Sequence, residues 1–139
     1  MRQIIIASHG KLAEGVENTL QLFTGNLTGV SFLSAYTEDG VQLDDQIEAL
    51  MKTFDQDGAL FFTDIKGGSV TQAVVRHVAN LANVYVIAGF NFAMILEALM
   101  STVALSETFA QKLAVSGREG IELIEVKQDA SEQEDTFFE

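Results

Sequence analysis

The chain has 139 residues, 47% of them apolar, with a net charge of −12 and no cysteine. That length suits one domain with a real core. The missing cysteine removes disulfides, thiolate metal sites and cysteine nucleophiles together, and the negative charge opposes nucleic acid and anionic membrane surfaces, both gripped by Lys and Arg.

Strand-like and helix-like patterns alternate from the start. Gln3–Ser8 is a short apolar run that reads as a buried strand and leads into His9-Gly10. Leu12 to Phe23 carries Leu12, Val16, Leu20 and Phe23 at helical spacing, and Gly25-Asn26 marks the turn that ends it. Val30–Tyr36 reads as strand two. Leu43 to Phe54 forms a second helix, with Asp44 and Asp45 in the first turn, where negative charge suits the helix dipole. Ala59–Thr63 is a third apolar strand, followed by Asp64, Ile65, Lys66 and the turn Gly67-Gly68-Ser69. Thr71 to Leu81 is a third helix, Val84–Ala88 a fourth strand, and Phe92 to Met100 a fourth helix. Residues 106–116 read as a fifth helix, Gly117 to Gly120 as a loop, and Ile121–Lys127 as a last, more amphipathic strand. Residues 128–139 form an acidic tail, expected to be a solvated terminus, after a single domain over 1–127.

Continuous apolar strands separated by helices point to a doubly wound, mostly parallel α/β sheet covered on both faces. Right-handed crossovers favour a flavodoxin-like strand order with strands one and three adjacent. The loops after those strands then flank the crevice where such sheets place their chemistry. They carry His9-Gly10 and Asp64 through Ser69. No secretory signal is visible, and the longest apolar region, Val84 to Leu96, is too short to span a bilayer. A cytoplasmic location is therefore expected.

His9 is the first candidate nucleophile. A carboxylate on one ring nitrogen fixes the tautomer and leaves the other nitrogen free to attack, and Asp64 is the acidic residue placed for that role. The same pair would equally serve as a buried hydrogen bond that only shapes the crevice. Gly67 and Gly68 let the backbone approach an anion, and Ser69 can cap a helix whose free N–H groups attract phosphate. The Gly10 turn opens the first helix in a similar way. A tight loop with a helix cap is the plainer use of the same residues. A hydrolase built on Ser8 or Ser69 with His9 is conceivable, although neither serine lies in a Gly-x-Ser-x-Gly elbow. No phosphate-binding P-loop is present, and two distant histidines do not make a metal site. His77 reads as a partly exposed helix residue, Lys66 as a solvated loop lysine or an anion contact, Arg118 and Glu119 as a loop or interface ion pair, and Asn91 as a crevice-rim residue or helix cap.

Four segments in order resemble one family. They are Ile-Ile-Ala-Ser-His-Gly at 5–10, Thr-Asp-Ile-Lys-Gly-Gly-Ser at 63–69, Ala-Gly-Phe-Asn at 88–91 and Ser-Gly-Arg-Glu-Gly at 116–120. The chain resembles the enzyme IIA component of the mannose family of the bacterial phosphoenolpyruvate-dependent sugar phosphotransferase system. The resemblance implies a phosphotransferase with a phosphohistidine intermediate. His9 would accept a phosphoryl group from the carrier HPr on the ring nitrogen remote from Asp64, then pass it to an enzyme IIB component on a separate polypeptide. Asp64 would orient His9, and Gly10, Gly67, Gly68 and Ser69 would bind the phosphoryl oxygens. No metal or organic cofactor is implied. The family pattern further implies a homodimer, with Ile121–Lys127 exchanged antiparallel onto the partner's sheet. A phosphoryl donor subunit for dihydroxyacetone kinase is the nearest alternative, and a regulatory binding module that never turns over is another. Val70 and Ala93 stand where proline is usual in the family, and Lys66 where some relatives have an aromatic residue.

Overall fold

The computed structural model describes residues 1–127; the acidic tail expected over 128–139 lies outside them. Four strands form one parallel sheet in the order β2-β1-β3-β4. They are β1 (Gln3–His9), β2 (Val30–Ala35), β3 (Ala59–Thr63) and β4 (Val84–Ala88). The helices are α1 (Leu12–Leu20), α2 (Leu43–Met51), α3 (Ser69–Val78), α4 (Phe92–Met100) and α5 (Glu107–Glu119). The predicted α/β class and the β1–β3 adjacency both hold.

Side chains alternate across each strand, and β1 uses both faces. Ile4 and Ile6 pack with α1, α4 and α5 through Ala13, Leu20, Ile95 and Leu113. Ile5 and Ala7 pack on the other face with Ile47 of α2 and Val70, Val74 and Val78 of α3. Phe62 joins the first layer and Phe61 the second, each fully buried. A buried side chain of this kind contributes about 1.5–3 kcal/mol, so two filled layers explain why the central strands contain no polar break before Ser8 and Thr63.

The same alternation sets the site. Ser8 follows the parity of Ile4 and Ile6 and meets α1, while His9 follows Ile5 and Ala7 toward α3. Because β2 lies on one side of β1 and β3 on the other, the crossover direction reverses between β1 and β3. Their carboxyl ends open a crevice there.

Several element ends differ from expectation. α1 stops at Leu20 and α2 at Met51. Phe23 and Phe54, expected on the helix faces, lie beyond those helices and pack against Phe92 and Phe61, with ring centres 5.2 and 5.9 Å apart. α5 continues through Gly117 to Glu119, so Arg118 and Glu119 are helical rather than part of a loop. A Cβ on Gly117 would stand 2.8 Å from Met94 Cε. That glycine permits close α4–α5 packing and does not mark a turn. Residues 121–127 form no ladder among the described residues, although the sequence pattern there reads as a strand.

Candidate active site

His9 is the last residue of β1, in register with Ala35 of β2. Asp64 follows β3 directly. One carboxylate oxygen, Asp64 Oδ2, accepts the His9 backbone N–H at 2.8 Å and lies 2.9 Å from His9 Nδ1. Asp64 Oδ1 has no protein partner among the described residues, so His9 takes all of the side chain's hydrogen bonding. Burial pushes the Asp64 carboxyl up, but the His9 backbone N–H, the ring N–H and the ring's charge together hold it below its usual value. Asp64 is therefore an acceptor near neutral pH. In the neutral ring the proton then sits on Nδ1, and Nε2 keeps the lone pair. The His9 side chain is 40% exposed against 11% for Asp64: the carboxylate is sheltered and the ring faces outward.

Nε2 points at the start of α3, where Ser69 Oγ lies 3.2 Å away. The loop before α3 is fixed from several sides. Gly67 adopts φ +79°, a left-handed conformation that glycine takes without strain. Gln72 Nε2 donates to Gly67 O at 2.7 Å. Thr71 Oγ1 lies 2.8 Å from Ile65 O and 2.7 Å from Thr63 Oγ1, tying the loop back to β3. A Cβ on Gly68 would stand 2.6 Å from Ile65 Cγ2 and 3.2 Å from His9 Cε1. This glycine is what allows the helix start to lie against the imidazole. The first helical hydrogen bond is donated by Gln72 N–H to Gly68 O at 3.0 Å. The amides just before it, on the first turn of α3, are the orphan donors of any helix N-terminus.

Three expectations change in detail. Ser69 does not cap α3: the cap position is Gly68, and no side chain caps it. The Ser69 hydroxyl turns to His9 instead. Gly10 supplies a left-handed turn at φ +59°, but its N–H donates to Ala35 O at 2.9 Å, which leaves it no amide for an anion. Ser8 is fully buried and its Oγ accepts the Ala13 N–H at 2.8 Å. It pins the first turn of α1 and is unavailable as a nucleophile.

Among the weaker candidates, Asn91 is the α4 cap, with Oδ1 accepting Met94 N–H at 3.0 Å and Nδ2 donating to Gly117 O at 2.7 Å. His77 lies away from His9 and pairs with Asp44 at 2.9 Å. Sequence reading passed over Tyr36, whose Oη lies 2.8 Å from Ser69 Oγ. Its place at the end of β2, next to β1, was the available signal. A shallow cavity of about 300 Å³ opens beside Tyr36 and Ser69 toward Leu43, Asp44 and Arg76.

A family model described as the PTS system fructose IIA component, EIIA-man, matches residues 3–114. The chain belongs to the EIIA-man family. Its members are IIA components of the sugar phosphotransferase system, PTS. Over 129 residues this EIIA-man chain is 30% identical to the PTS system mannose-specific EIIAB component of Escherichia coli strain K12. That match covers 89% of the chain and 40% of the relative, so the chain spans less than half of that protein's length. Two solved structures share the EIIA-man fold at 26% identity. The mannose/sorbose specific IIA subunit from Enterococcus faecalis gives a TM-score of 0.81 over 91% of this chain and 97% of that one. The phosphotransferase system component EIIA from Streptococcus agalactiae gives 0.76 over 88% and 97%. Among the described residues no helix is long and apolar enough to cross a membrane.

Proposed function

We propose that this EIIA-man chain carries a phosphoryl group on His9 Nε2, accepting it from phosphorylated HPr and passing it to an enzyme IIB component in the cytoplasm. The observation that carries the reading is the 2.9 Å contact between His9 Nδ1 and the sheltered Asp64 carboxylate, which assigns the proton of the neutral ring to Nδ1 and the lone pair to Nε2. In the step, the Nε2 lone pair forms the new N–P bond. The N–P bond to the donor histidine breaks, and its electron pair returns to the donor ring. The Nδ1 proton stays with His9 throughout, and Asp64 stabilises the positive charge that develops on the imidazole. The Ser69 hydroxyl and the first amides of α3 receive the phosphoryl oxygens. Such chemistry is mostly positioning and charge stabilisation.

The surroundings suit a protein donor. Leu12, Tyr36 and Ile65 are exposed apolar side chains on the loops that flank His9, a rim able to lie against another protein. The homodimer belongs to the same reading. Ile121, Leu123, Ile124 and Val126 are all exposed, and β4 is an edge strand able to accept an exchanged segment. A truncation after Gly120 should sediment as a monomer; a truncated dimer would remove the exchange.

Radiolabelled phosphoenolpyruvate, enzyme I and HPr test the carrier role. Wild type should acquire acid-labile, base-stable phosphate, and His9→Ala none. Full label on His9→Ala would overturn the assignment. A second reading is favoured by one observation: Ser69, His9 and Asp64 are in hydrogen-bond sequence, as in a serine hydrolase. That reading expects ester cleavage without any phosphoryl donor, lost in Ser69→Ala. The carrier reading expects no such turnover.

A further inference from the structure

The hydroxyl of Tyr36 is not explained by the residue's place on the apolar rim. The residue's φ is +66°, a left-handed conformation uncommon for any residue but glycine or asparagine. Its side chain is not explained by packing either, since the residue is 61% exposed. What the phenol does is reach Ser69. Tyr36 Oη lies 2.8 Å from Ser69 Oγ, and its ring centre is 5.7 Å from that of His9, tilted by 50°.

Proton counting gives this chain a direction. Asp64 accepts the Nδ1–H hydrogen bond, so in the neutral ring Nε2 is an acceptor. The Ser69 hydroxyl has one proton, and at 3.2 Å it donates that proton to Nε2. The Ser69 oxygen then accepts the Tyr36 hydroxyl proton. The order is Tyr36 O–H to Ser69 O–H to His9 Nε2, with His9 Nδ1–H to Asp64 at the far end.

We propose that Tyr36 is a positioning residue for phosphoryl transfer, acting through Ser69. This rests on the carrier reading of His9. In the free protein the Tyr36 hydroxyl fixes the Ser69 oxygen beside Nε2. When the N–P bond forms, the Nε2 lone pair is consumed and Ser69 loses its acceptor. Only the Ser69 O–H has to rotate, onto a phosphoryl oxygen, because Tyr36 continues to hold the oxygen in place. Without the phenol hydroxyl, Ser69 is free to take other rotamers, and the phosphoryl group meets a donor that must first be ordered.

The test is a cycle of Tyr36→Phe, Ser69→Ala and the double variant. Each is read by single-turnover phosphorylation from phosphorylated HPr and by the ¹⁵N resonance of His9 Nε2 in the unphosphorylated protein. Tyr36→Phe keeps the ring and the backbone. It should slow phosphorylation by about fivefold, the scale of one neutral hydrogen bond. Ser69→Ala should slow it at least as much, and the double variant should be no slower than Ser69→Ala alone. The Nε2 resonance should move in Tyr36→Phe, whereas the Nδ1 resonance should not. A merely structural role would leave Nε2 unmoved. A wild-type rate in Tyr36→Phe, or a further fivefold loss when it is added to Ser69→Ala, would overturn the proposal and leave the carrier reading standing. Absence of label on wild type would remove the carrier reading and this proposal with it.

Discussion

Asp64→Asn tests the central contact at constant shape. Asparagine can still offer one oxygen to both the His9 backbone N–H and Nδ1–H, which Asp64 Oδ2 accepts at 2.8 and 2.9 Å. What disappears is the charge. A hydrogen bond to a charged acceptor contributes about 1 kcal/mol more than a neutral one, so two of them set a stability loss of about 2 kcal/mol. The transfer rate senses a different quantity, the attraction between the carboxylate and the positive charge that grows on the ring as Nε2 bonds phosphorus. Two unit charges roughly 4 Å apart attract by about 4 kcal/mol at an effective dielectric constant of 20. His9 is 40% exposed, and halving the attraction for solvent screening leaves about 2 kcal/mol, or roughly 30-fold in rate. Rapid-quench transfer from phosphorylated HPr measures this directly, with a thermal melt to certify the fold. A rate within about threefold of wild type would show that the carboxylate charge does not assist the step, and the argument from tautomer and charge would fail.

Three further outcomes follow from the same contacts. Gly68→Ala brings a Cβ to 2.6 Å from the exposed Ile65 side chain and 3.2 Å from His9 Cε1. The new Cβ also stands 3.3 Å from the Ile65 backbone carbonyl, so the loop must shift: the melting temperature should fall modestly and phosphorylation about tenfold, the scale of a small misplacement at a reacting centre; unaltered transfer kinetics would show that the ring has room to spare. Ser8→Ala strands the Ala13 N–H in a buried site and should cost about 1–2 kcal/mol, seen as a lower urea midpoint. The pH dependence has a definite sign. The Asp64 carboxyl is depressed in the fold, so its stabilisation is complete above the unfolded value of about 3.9 and is lost as pH falls through the folded value. The stability difference between wild type and Asp64→Asn should therefore shrink as pH falls below about 4, and a difference that grew within that acid range would contradict a carboxyl depressed in the fold.

The strands and the His9–Asp64 pairing were legible because they follow from short-range rules. Apolar runs of five to seven residues fix β1, β3 and β4, and the parallel order brings two strand ends 55 residues apart to one crevice. The misreadings share a physical cause: each depended on a tertiary neighbour. Gly117 looked like a loop because glycine usually ends helices, but it lies inside α5, where Met94 needs the space. Ser69 looked like a cap because serine is a good one, but with Gly68 already in the extended cap conformation the hydroxyl is left for His9. Tyr36 was read only as the end of a strand. Its place at the end of the strand beside β1 signals that it lies near the crevice, but its left-handed backbone and its choice of Ser69, 33 residues away, have no signature in the sequence.

The grip on the phosphoryl group also bears on function. A carrier has to give up what it takes, and a site that held the phosphoryl group about 3 kcal/mol too tightly would slow onward transfer by roughly 10²-fold. The contacts around Nε2 fit that limit. Among the described residues Nε2 meets one serine hydroxyl at 3.2 Å, beside the start of α3, whose dipole contributes about 0.3–1 kcal/mol to a nearby anion. Arg76, the guanidinium lining the adjoining cavity, is held by Asp44 at 3.2 Å and so is drawn away from the role of a strong bidentate phosphate clamp. Orientation therefore comes from the sheltered side, through Asp64, while the exposed side is gripped lightly through Ser69. On the proposed carrier reading, this division of labour would make His9 a well-aimed nucleophile that, once phosphorylated, remains a competent donor.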